Sequence, residues 1–396
     1  MNSQKYVVKR ILYLLLIIPL FGIPIINYYF DTLYTILFRY IVLGEGALLL
    51  IIFWGTTQNK QVDAYFYLFG LFCLYSLINT LKNKGDYTAA VTTFLPSFCM
   101  LLIIESFDED LGLILDIIRE YLYTLVFINQ IFIFLYPNGM YVSTGIEGYS
   151  LNWLLGYKST IQYFVWPLCI LTILKKDTKF KTYVALVLCN LQAITSSNQM
   201  LIASLIVIDI IYIFRNEKMK KVVNIYSIQI LYIVLNFVFV SGLYDSIQSL
   251  VYLIANAFHK NVTSGRMNIW RSTLNQIPQK LFFGHGRVDS SIRYGMYGRV
   301  SHSHNVILEI LYQGGIVWLA NFIVFNLHIA HLLWQKRDSE TTWYICIGIL
   351  GIYLMSIVEI YLQPVATGIW LIFALASKVD FLETDYCLDN DQEAEY

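Results

Sequence analysis

Charge is scarce in this sequence. Only 14% of its 396 residues are Asp, Glu, Lys or Arg, against roughly a quarter in an ordinary soluble domain. Hydrophobic residues reach 57%. A water-soluble core cannot absorb that much apolar surface, so the bilayer has to be the solvent. Net charge is missing as well, with 27 Lys+Arg against 27 Asp+Glu. A chain with no overall basic field is not built for nucleic acid. Cysteine pairing is also lacking. Cys73, Cys99, Cys169, Cys189 and Cys346 lie inside apolar runs and Cys387 lies in the tail, with no CxxC pair or Cys/His cluster. These read as small buried residues rather than disulfides or metal ligands. The N-terminus has a basic start and an apolar run but no small-residue cleavage site. It reads as a first transmembrane helix, not a removed signal. No internal repeat is evident.

What is abundant is long apolar runs. A spanning helix needs about 20 mainly apolar residues. Such runs occur near 11–30, 34–54, 63–81, 88–104, 118–136, 159–174, 180–197, 199–214, 222–242, 305–333, 342–360 and 361–377. The last two are divided by a tight turn at Gln363-Pro364. Helices are expected because lipid offers backbone groups no partner. The sequence thus predicts an all-α polytopic membrane protein, one membrane domain over 1–396, with about 12 transmembrane helices. Lys5, Lys9 and Arg10, then Lys175, Lys176, Lys179 and Lys181, then Arg215, Lys218, Lys220 and Lys221, then Lys336 and Arg337 all fall on one side of such a bundle. The positive-inside rule makes that side and both termini cytoplasmic. Lys82 and Lys84 fall on the other side. The acidic tail, Asp389 to Glu395, reads as a solvated end.

One large outer loop, residues 243–304, breaks the pattern. It holds Lys260, Arg266, Arg271, Lys280, Arg287, Arg293 and Arg299, with four of the six histidines: His259, His285, His302 and His304. A solvated loop, or one held against anionic headgroups, is the plainer explanation of these arginines. An anionic ligand is the other. The stripe Leu243, Ile247, Leu250, Val251, Ile254 and Phe258 suggests a helix lying on the membrane surface. Thr263 or Ser264 can cap a following helix, with Met267, Trp270, Leu274 and Ile277 on one face and Pro278 as its limit. Arg266 then sits in a first turn, where free N–H groups favour phosphate. Arg271 points elsewhere, and Gly284-His285-Gly286 permits a tight turn. Asn261-Val262-Thr263 matches a glycosylation pattern too common by chance to use.

Three motifs in this region resemble a known family. They are Ser264-Gly265-Arg266 with Trp270, then Gly284-His285-Gly286, then His304-Asn305 with Leu308 and Gly315. Their order and spacing resemble the O-antigen ligase and polysaccharide polymerase superfamily, including the Wzy-type capsular polymerases. The resemblance implies a GT-C-like fold in a bacterial cell membrane. It implies transfer of a glycan from undecaprenyl pyrophosphate to an acceptor hydroxyl on the outer face, on a lipid-linked repeat unit in the polymerase branch. It implies no cofactor, nucleotide sugar or metal. Membrane lipids and polysaccharide-export proteins are the other partners it allows.

The chemistry assigns roles. Arginine forks stabilise charge on a departing pyrophosphate, so Arg266 comes first, with Arg287 and Arg271 next. His304 is the candidate base for the acceptor hydroxyl; a polar residue at a membrane interface is its plainer reading. Asn305 is expected to orient the base or the sugar, and Trp270 is a candidate sugar contact. Trp153, Tyr294 and Tyr297 can stack on sugars but are more often simply interfacial. One departure stands out. Where the family often has Ser-Arg, this chain reads Ser197-Asn198. Lys158 is a possible substitute for that arginine. Buried Arg39 and Glu45 are another, although a structural ion pair explains them as well. Competing readings are a glycosyltransferase using Asp31 as base, a ligase to a different acceptor, a lipid-linked glycan transporter or flippase, and a scaffold.

Overall fold

The structure, a computed structural model, describes residues 3–58, 61–145, 148–175, 178–243, 266–298 and 300–386. The expected surface helix over 243–258, the caps Thr263 and Ser264, and Arg299 lie outside the described residues, apart from Leu243. The apolar runs fold as helices. In chain order these are α1 Ser3–Ile17, α2 Pro24–Tyr29, α3 Asp31–Thr57, α4 Ala64–Lys82, α5 Tyr87–Ser106, α6 Leu111–Leu135, α7 Lys158–Lys175, α8 Lys179–Thr195 and α9 Gln199–Ile213. They continue as α10 Glu217–Val222, α11 Ile225–Ser241, α12 Arg266–Gln276, α13 Ser290–Tyr297, α14 Val306–Gln335, α15 Glu340–Ser356 and α16 Pro364–Thr384.

Short polar side chains set the helix starts. Asp63, Asp86, Asn198, Asn216, Asn224, Asp289, Asn305 and Ser339 each accept a hydrogen bond from a backbone N–H in the first turn that follows. Those groups have no partner within the helix. Outward faces are apolar and exposed, as at Ile51, Trp54, Val187, Ile213 and Phe237. Exposed apolar bands of this extent belong in lipid. The chain is therefore a helical integral membrane protein. Among the described residues five helices, α3, α4, α5, α14 and α16, qualify by length and apolarity to cross a membrane. That is fewer than the twelve apolar runs. Three further apolar helices are shorter, over Phe180–Thr195, Gln199–Ile213 and Ile225–Ser241, and α6 carries Asp116, Arg119 and Glu120 in its first half.

The all-helical expectation needs one correction. Three short strands, β1 Tyr141–Gly145, β2 Gly148–Trp153 and β3 Gly156–Tyr157, form an antiparallel sheet in the order β1-β2-β3. It is a local meander in the connection between α6 and α7. Leu155 N–H donates to Asn129 Oδ1 at 3.0 Å and Trp153 Nε1 donates to the Tyr136 carbonyl at 2.8 Å, which tie it to α6.

Polar contacts sort the bundle into two ends. At one end Lys9 meets Asp110 at 2.7 Å, Lys175 meets Asp116 at 3.0 Å, Arg215 meets Glu340 at 3.3 Å, Lys336 meets Asp380 at 2.7 Å and Lys378 meets Glu105 at 3.0 Å. Arg10 and Glu120 also pair there. The solvated pairs among them contribute about 0–1 kcal/mol each; Lys175–Asp116 and Lys378–Glu105 are more buried. Their value here is geometric, because every pair joins segments that the loop charges assign to one side. At the opposite end Asp86 N–H donates to the Arg287 carbonyl at 2.7 Å, and Lys280 Nζ donates to Asn83 Oδ1 at 2.6 Å. Lys82 lies over the Phe283 ring, 4.6 Å from its centre. Lys82, one of the two lysines that departed from the charge pattern, thus has a local partner.

Candidate active site

The second end is built around a broken helix. α14 is interrupted at Gly315, whose φ of +66° and ψ of −163° are not helical. A break inside an apolar bundle leaves carbonyls without helical partners, and they need other donors. The turn Gly284-His285-Gly286 supplies them. His285 N–H donates to the Tyr312 carbonyl and Gly286 N–H to the Gln313 carbonyl, both at 2.8 Å. Beyond the break, Ile316 and Val317 N–H donate to the carbonyls of Leu281 and Phe282. α4 closes the joint, with Tyr75 hydroxyl donating to the Gly314 carbonyl at 2.8 Å and Asn79 Nδ2 to that of Gln313 at 2.7 Å. A Cβ on Gly284 would lie 2.4 Å from the Gln313 carbonyl carbon, and one on Gly315 would lie 2.4 Å from that of Phe282. The two glycine motifs are the halves of one joint. His285 belongs to it, stacked on Tyr312 with ring centres 4.6 Å apart and Nε2 3.1 Å from the Gln276 carbonyl.

The joint is stiffened by a buried ion pair. Arg293 Nη2 lies 2.5 Å from Glu309 Oε1, with side chains 2% and 1% exposed. Arg293 also donates to the Tyr297 hydroxyl and lies over the Tyr312 ring. Glu309 accepts from Ser303 N–H at 2.8 Å and from Gln313 Nε2 at 2.6 Å. Arg293, one of the loop cations first read as facing an anion, is therefore scaffold. So is Tyr297, whose hydroxyl meets Arg293 and Thr273.

His304 stands next to this scaffold in a strained conformation. Its φ is +53°, in the left-handed region, which costs a non-glycine residue of order 1–3 kcal/mol and persists only where neighbours over-determine it. They do: Ser303 is tied to Glu309, Ser303 hydroxyl donates to the Asn305 carbonyl at 2.9 Å, and His304 N–H donates to His302 Nδ1 at 3.2 Å. With its Nδ1 accepting, neutral His302 carries its proton on Nε2.

His304, His302 and Glu359 converge. Glu359 lies in the non-helical turn between α15 and α16, outside both helices. Its Oε1 is 3.3 Å from His304 Nδ1 and 3.7 Å from His302 Nε2. The shorter separation is a charge contact without hydrogen-bond alignment, since His304 Nδ1 is buried with no aligned partner among the described residues. Burial pushes the Glu359 carboxyl up, but His304, His302 and Arg266 together overcome it and bring it to about 2. Burial and the neighbouring His304 push His302 down to about 4, against the pull of Glu359 and Glu309. At neutral pH the cluster therefore holds one carboxylate and a neutral His302. The three ligand atoms lie within 4.8 Å of one another, close enough to reach one cation. Arg266 adds a favourable charge at longer range. Glu359 also lines a cavity of about 10 Å³ with Gln162, Tyr163, Ser356 and Tyr361. A larger groove, about 390 Å³ and lined by Arg119, Glu120 and Lys181, lies away from these residues, toward the end carrying the basic loops.

The remaining candidates fall into three groups. Arg266 begins α12 as expected, its Nε buried without a partner among the described residues. Arg287 is half-buried in the turn docked on α4, its backbone N–H donating to Thr80 Oγ1 at 3.0 Å. Burial lowers its pKa, countered by Glu309 and Asp86, and an arginine keeps its charge regardless. Arg271 is exposed on α12. Lys158 starts α7, and its carbonyl accepts from Asn198 Nδ2 at 2.6 Å while Asn198 Oδ1 caps α9. The residue replacing the family arginine is thus joined directly to the proposed substitute.

Asn305 and Trp270 support the site rather than face a sugar. Both are fully buried. Asn305 Oδ1 caps α14 at Leu308 N–H, and its Nδ2 donates to Asn236 Oδ1 at 2.7 Å and to the Ile357 carbonyl at 3.0 Å, which exhausts its donors. Trp153 is likewise buried, whereas Tyr294 is exposed. Arg39 is exposed and Glu45 buried, with no ion pair between them. Asp31 is exposed in the first turn of α3. Glu359 and Glu309 are the residues that sequence reading missed. Each is a carboxylate inside an apolar run, and such carboxylates mark function or a buried partner.

These features define a class: a helical integral membrane protein with an imidazole–carboxylate cluster at the end opposite its basic loops. Comparison with known families adds a similarity over part of the chain. Residues 182–323 match the family model described as O-antigen ligase, consistent with the O-antigen ligase and Wzy superfamily. The match runs from α8 to the middle of α14. It includes Arg266, both glycine motifs and His304, and leaves Lys158 and Glu359 outside. It supports an enzyme in general. No curated protein matches the chain.

Proposed function

We propose that the protein is a polysaccharide polymerase of the bacterial cell membrane. It transfers a growing glycan from undecaprenyl pyrophosphate to a hydroxyl of a lipid-linked repeat unit, without metal or cofactor. The observation that carries this is the approach of His304 to Glu359, 3.3 Å from Nδ1 to Oε1, at the end of the bundle facing away from the basic loops. In this reading about twelve helices cross the membrane in a GT-C-like arrangement, both termini are cytoplasmic, and the histidine end is extracytoplasmic. A polyprenyl lipid presents its pyrophosphate at that depth.

The acceptor hydroxyl oxygen attacks the anomeric carbon as the bond from that carbon to the phosphate oxygen breaks. His304 takes the hydroxyl proton. Undecaprenyl pyrophosphate leaves with the bonding electrons, and Arg266 offsets its charge, with Arg287, Arg271 and Lys158 as further cationic contacts. Lys158 stands in for the arginine that Asn198 replaces. The charge need not be neutralised by an ion when several fixed cations surround it.

A ligase reading differs only in the acceptor, and the similarity to O-antigen ligases favours keeping it. The two are separated by product. In cells, His304→Ala and Arg266→Ala should each abolish polymer while single repeat units accumulate on lipid. Normal chain lengths from both variants would refute the assignment. Accumulation of already polymerised glycan on lipid would instead indicate a ligase.

A further inference from the structure

We infer that Glu359 is the positioning residue for His304: its carboxylate fixes the imidazole with Nδ1 inward and leaves Nε2 to receive the acceptor proton. The inference rests on the reading of His304 as base. Four observations support it. The 3.3 Å contact is made to Nδ1, which is buried, so Nε2 is the nitrogen left for substrate. The turn carrying Glu359 is pinned on both sides, by Asn305 Nδ2 on the Ile357 carbonyl and by the Tyr163 hydroxyl on the Ile360 carbonyl. Pro364 ends the turn and restricts the residue before it to extended geometry. Fourth, the carboxylate is under-used as structure. Glu309, a scaffold carboxylate, is tied by hydrogen bonds to Arg293, Ser303 and Gln313. Glu359 has no backbone or neutral side-chain partner among the described residues, and faces two imidazoles at 3.3 and 3.7 Å. Burying an ion that way costs several kcal/mol and is a poor device for stability alone. It is a good device for fixing a tautomer and stabilising an imidazolium as it forms.

The groups facing the pair come from four places. His302 lies beside Glu359 on its own loop, Arg266 comes from α12, the Arg293–Glu309 pair from α13 and α14 acts on His302, and Tyr163 on α7 borders the turn. Through the reaction the proton moves from the acceptor oxygen to His304 Nε2 and Glu359 stays ionised.

The test uses detergent-purified full-length protein, a polyprenyl-pyrophosphate-linked repeat unit, and the variants Glu359→Gln, Glu359→Asp and His304→Ala. Glu359→Gln should lower kcat by about 10²-fold, between the tenfold typical of outer-shell partners and the 10⁴-fold of a triad carboxylate, with KM little changed. A carboxylate favours a protonated neighbour and an amide does not, so the acid limb of the rate–pH profile should move to lower pH. Glu359→Asp should retain more activity than Glu359→Gln. If Glu359→Gln does not purify as a monodisperse protein, the aspartate variant carries the comparison. If His304→Ala is inactive but both Glu359 variants match the wild type in kcat and acid limb, the inference is wrong and the base assignment stands. A lower kcat with an unmoved acid limb and no advantage for aspartate also overturns it. An active His304→Ala removes the base assignment itself.

Discussion

Arg293 and Arg266 are neighbours in one basic segment, yet they should fail in opposite ways. Among the described residues, Arg293→Met removes the only cation paired with Glu309, leaving a carboxylate that is 1% exposed with Ser303 N–H and Gln313 Nε2 as its remaining partners. Breaking one side of a buried ion pair costs about 3–5 kcal/mol. Glu309→Leu should cost a similar amount, because it strands Arg293. The double variant Arg293→Met/Glu309→Leu removes both charges. What it leaves is the Ser303 N–H and the Gln313 Nε2 without their acceptor, a penalty of about 1–3 kcal/mol each. The double variant should therefore lose clearly less stability than the sum of the two single losses. Arg266→Met, by contrast, should unfold close to the wild type and lose activity. The assay is thermal unfolding in detergent, followed by tryptophan fluorescence, with buried Trp270 on α12 and Trp318 on α14 as local reporters. Wild-type stability in Arg293→Met, or losses that simply add in the double variant, would refute the scaffold role.

Three further outcomes follow from the same geometry. Gly315→Ala should lower the unfolding midpoint and abolish activity, since its φ of +66° and a Cβ 2.4 Å from the Phe282 backbone leave no room; Gly55→Ala, with nothing within 4 Å, should be neutral or stabilising. Asn305→Ala should cost about 0.5–2 kcal/mol for the lost cap, plus a penalty for the orphaned Asn236 amide, while any residual activity keeps its KM; a raised KM at full stability would restore Asn305 as a sugar contact. In a cysteine-free background, a thiol at Lys84 should react with an impermeant reagent in intact cells, and one at Lys218 only after permeabilisation; the reverse pattern would invert the topology.

Much of this architecture could be read from apolar run length alone. Each expected span contains a helix, and the loop charges separate the two ends that the ion pairs define. The glycine motifs marked real backbone constraints, although their reciprocal docking depends on contacts between α4, the 281–286 segment and α14, which no local pattern reveals. The strands after Tyr141 were missed because each is too short for its alternation to stand out from a polar connection. Arg293 and Arg287 look alike as loop arginines, and only the fold gives one a buried carboxylate and leaves the other facing the joint. Asn305 was misread for a related reason: an Asn beside the candidate base suggests chemistry, whereas its position before an apolar helix also signals a cap. Glu359 was overlooked because it lies in an apolar run far from the motif it serves.

The central claim is that His304 and Arg266 carry glycan transfer from a lipid pyrophosphate. The most direct measurement reconstitutes purified protein with undecaprenyl-pyrophosphate-linked repeat unit, without nucleotide and with chelator present, and resolves the glycan by length. The account predicts a ladder of longer glycans with release of undecaprenyl pyrophosphate, lost in His304→Ala and in Arg266→Ala. Movement of intact lipid-linked glycan between leaflets with no covalent change, or a ladder undiminished in both variants, would contradict it.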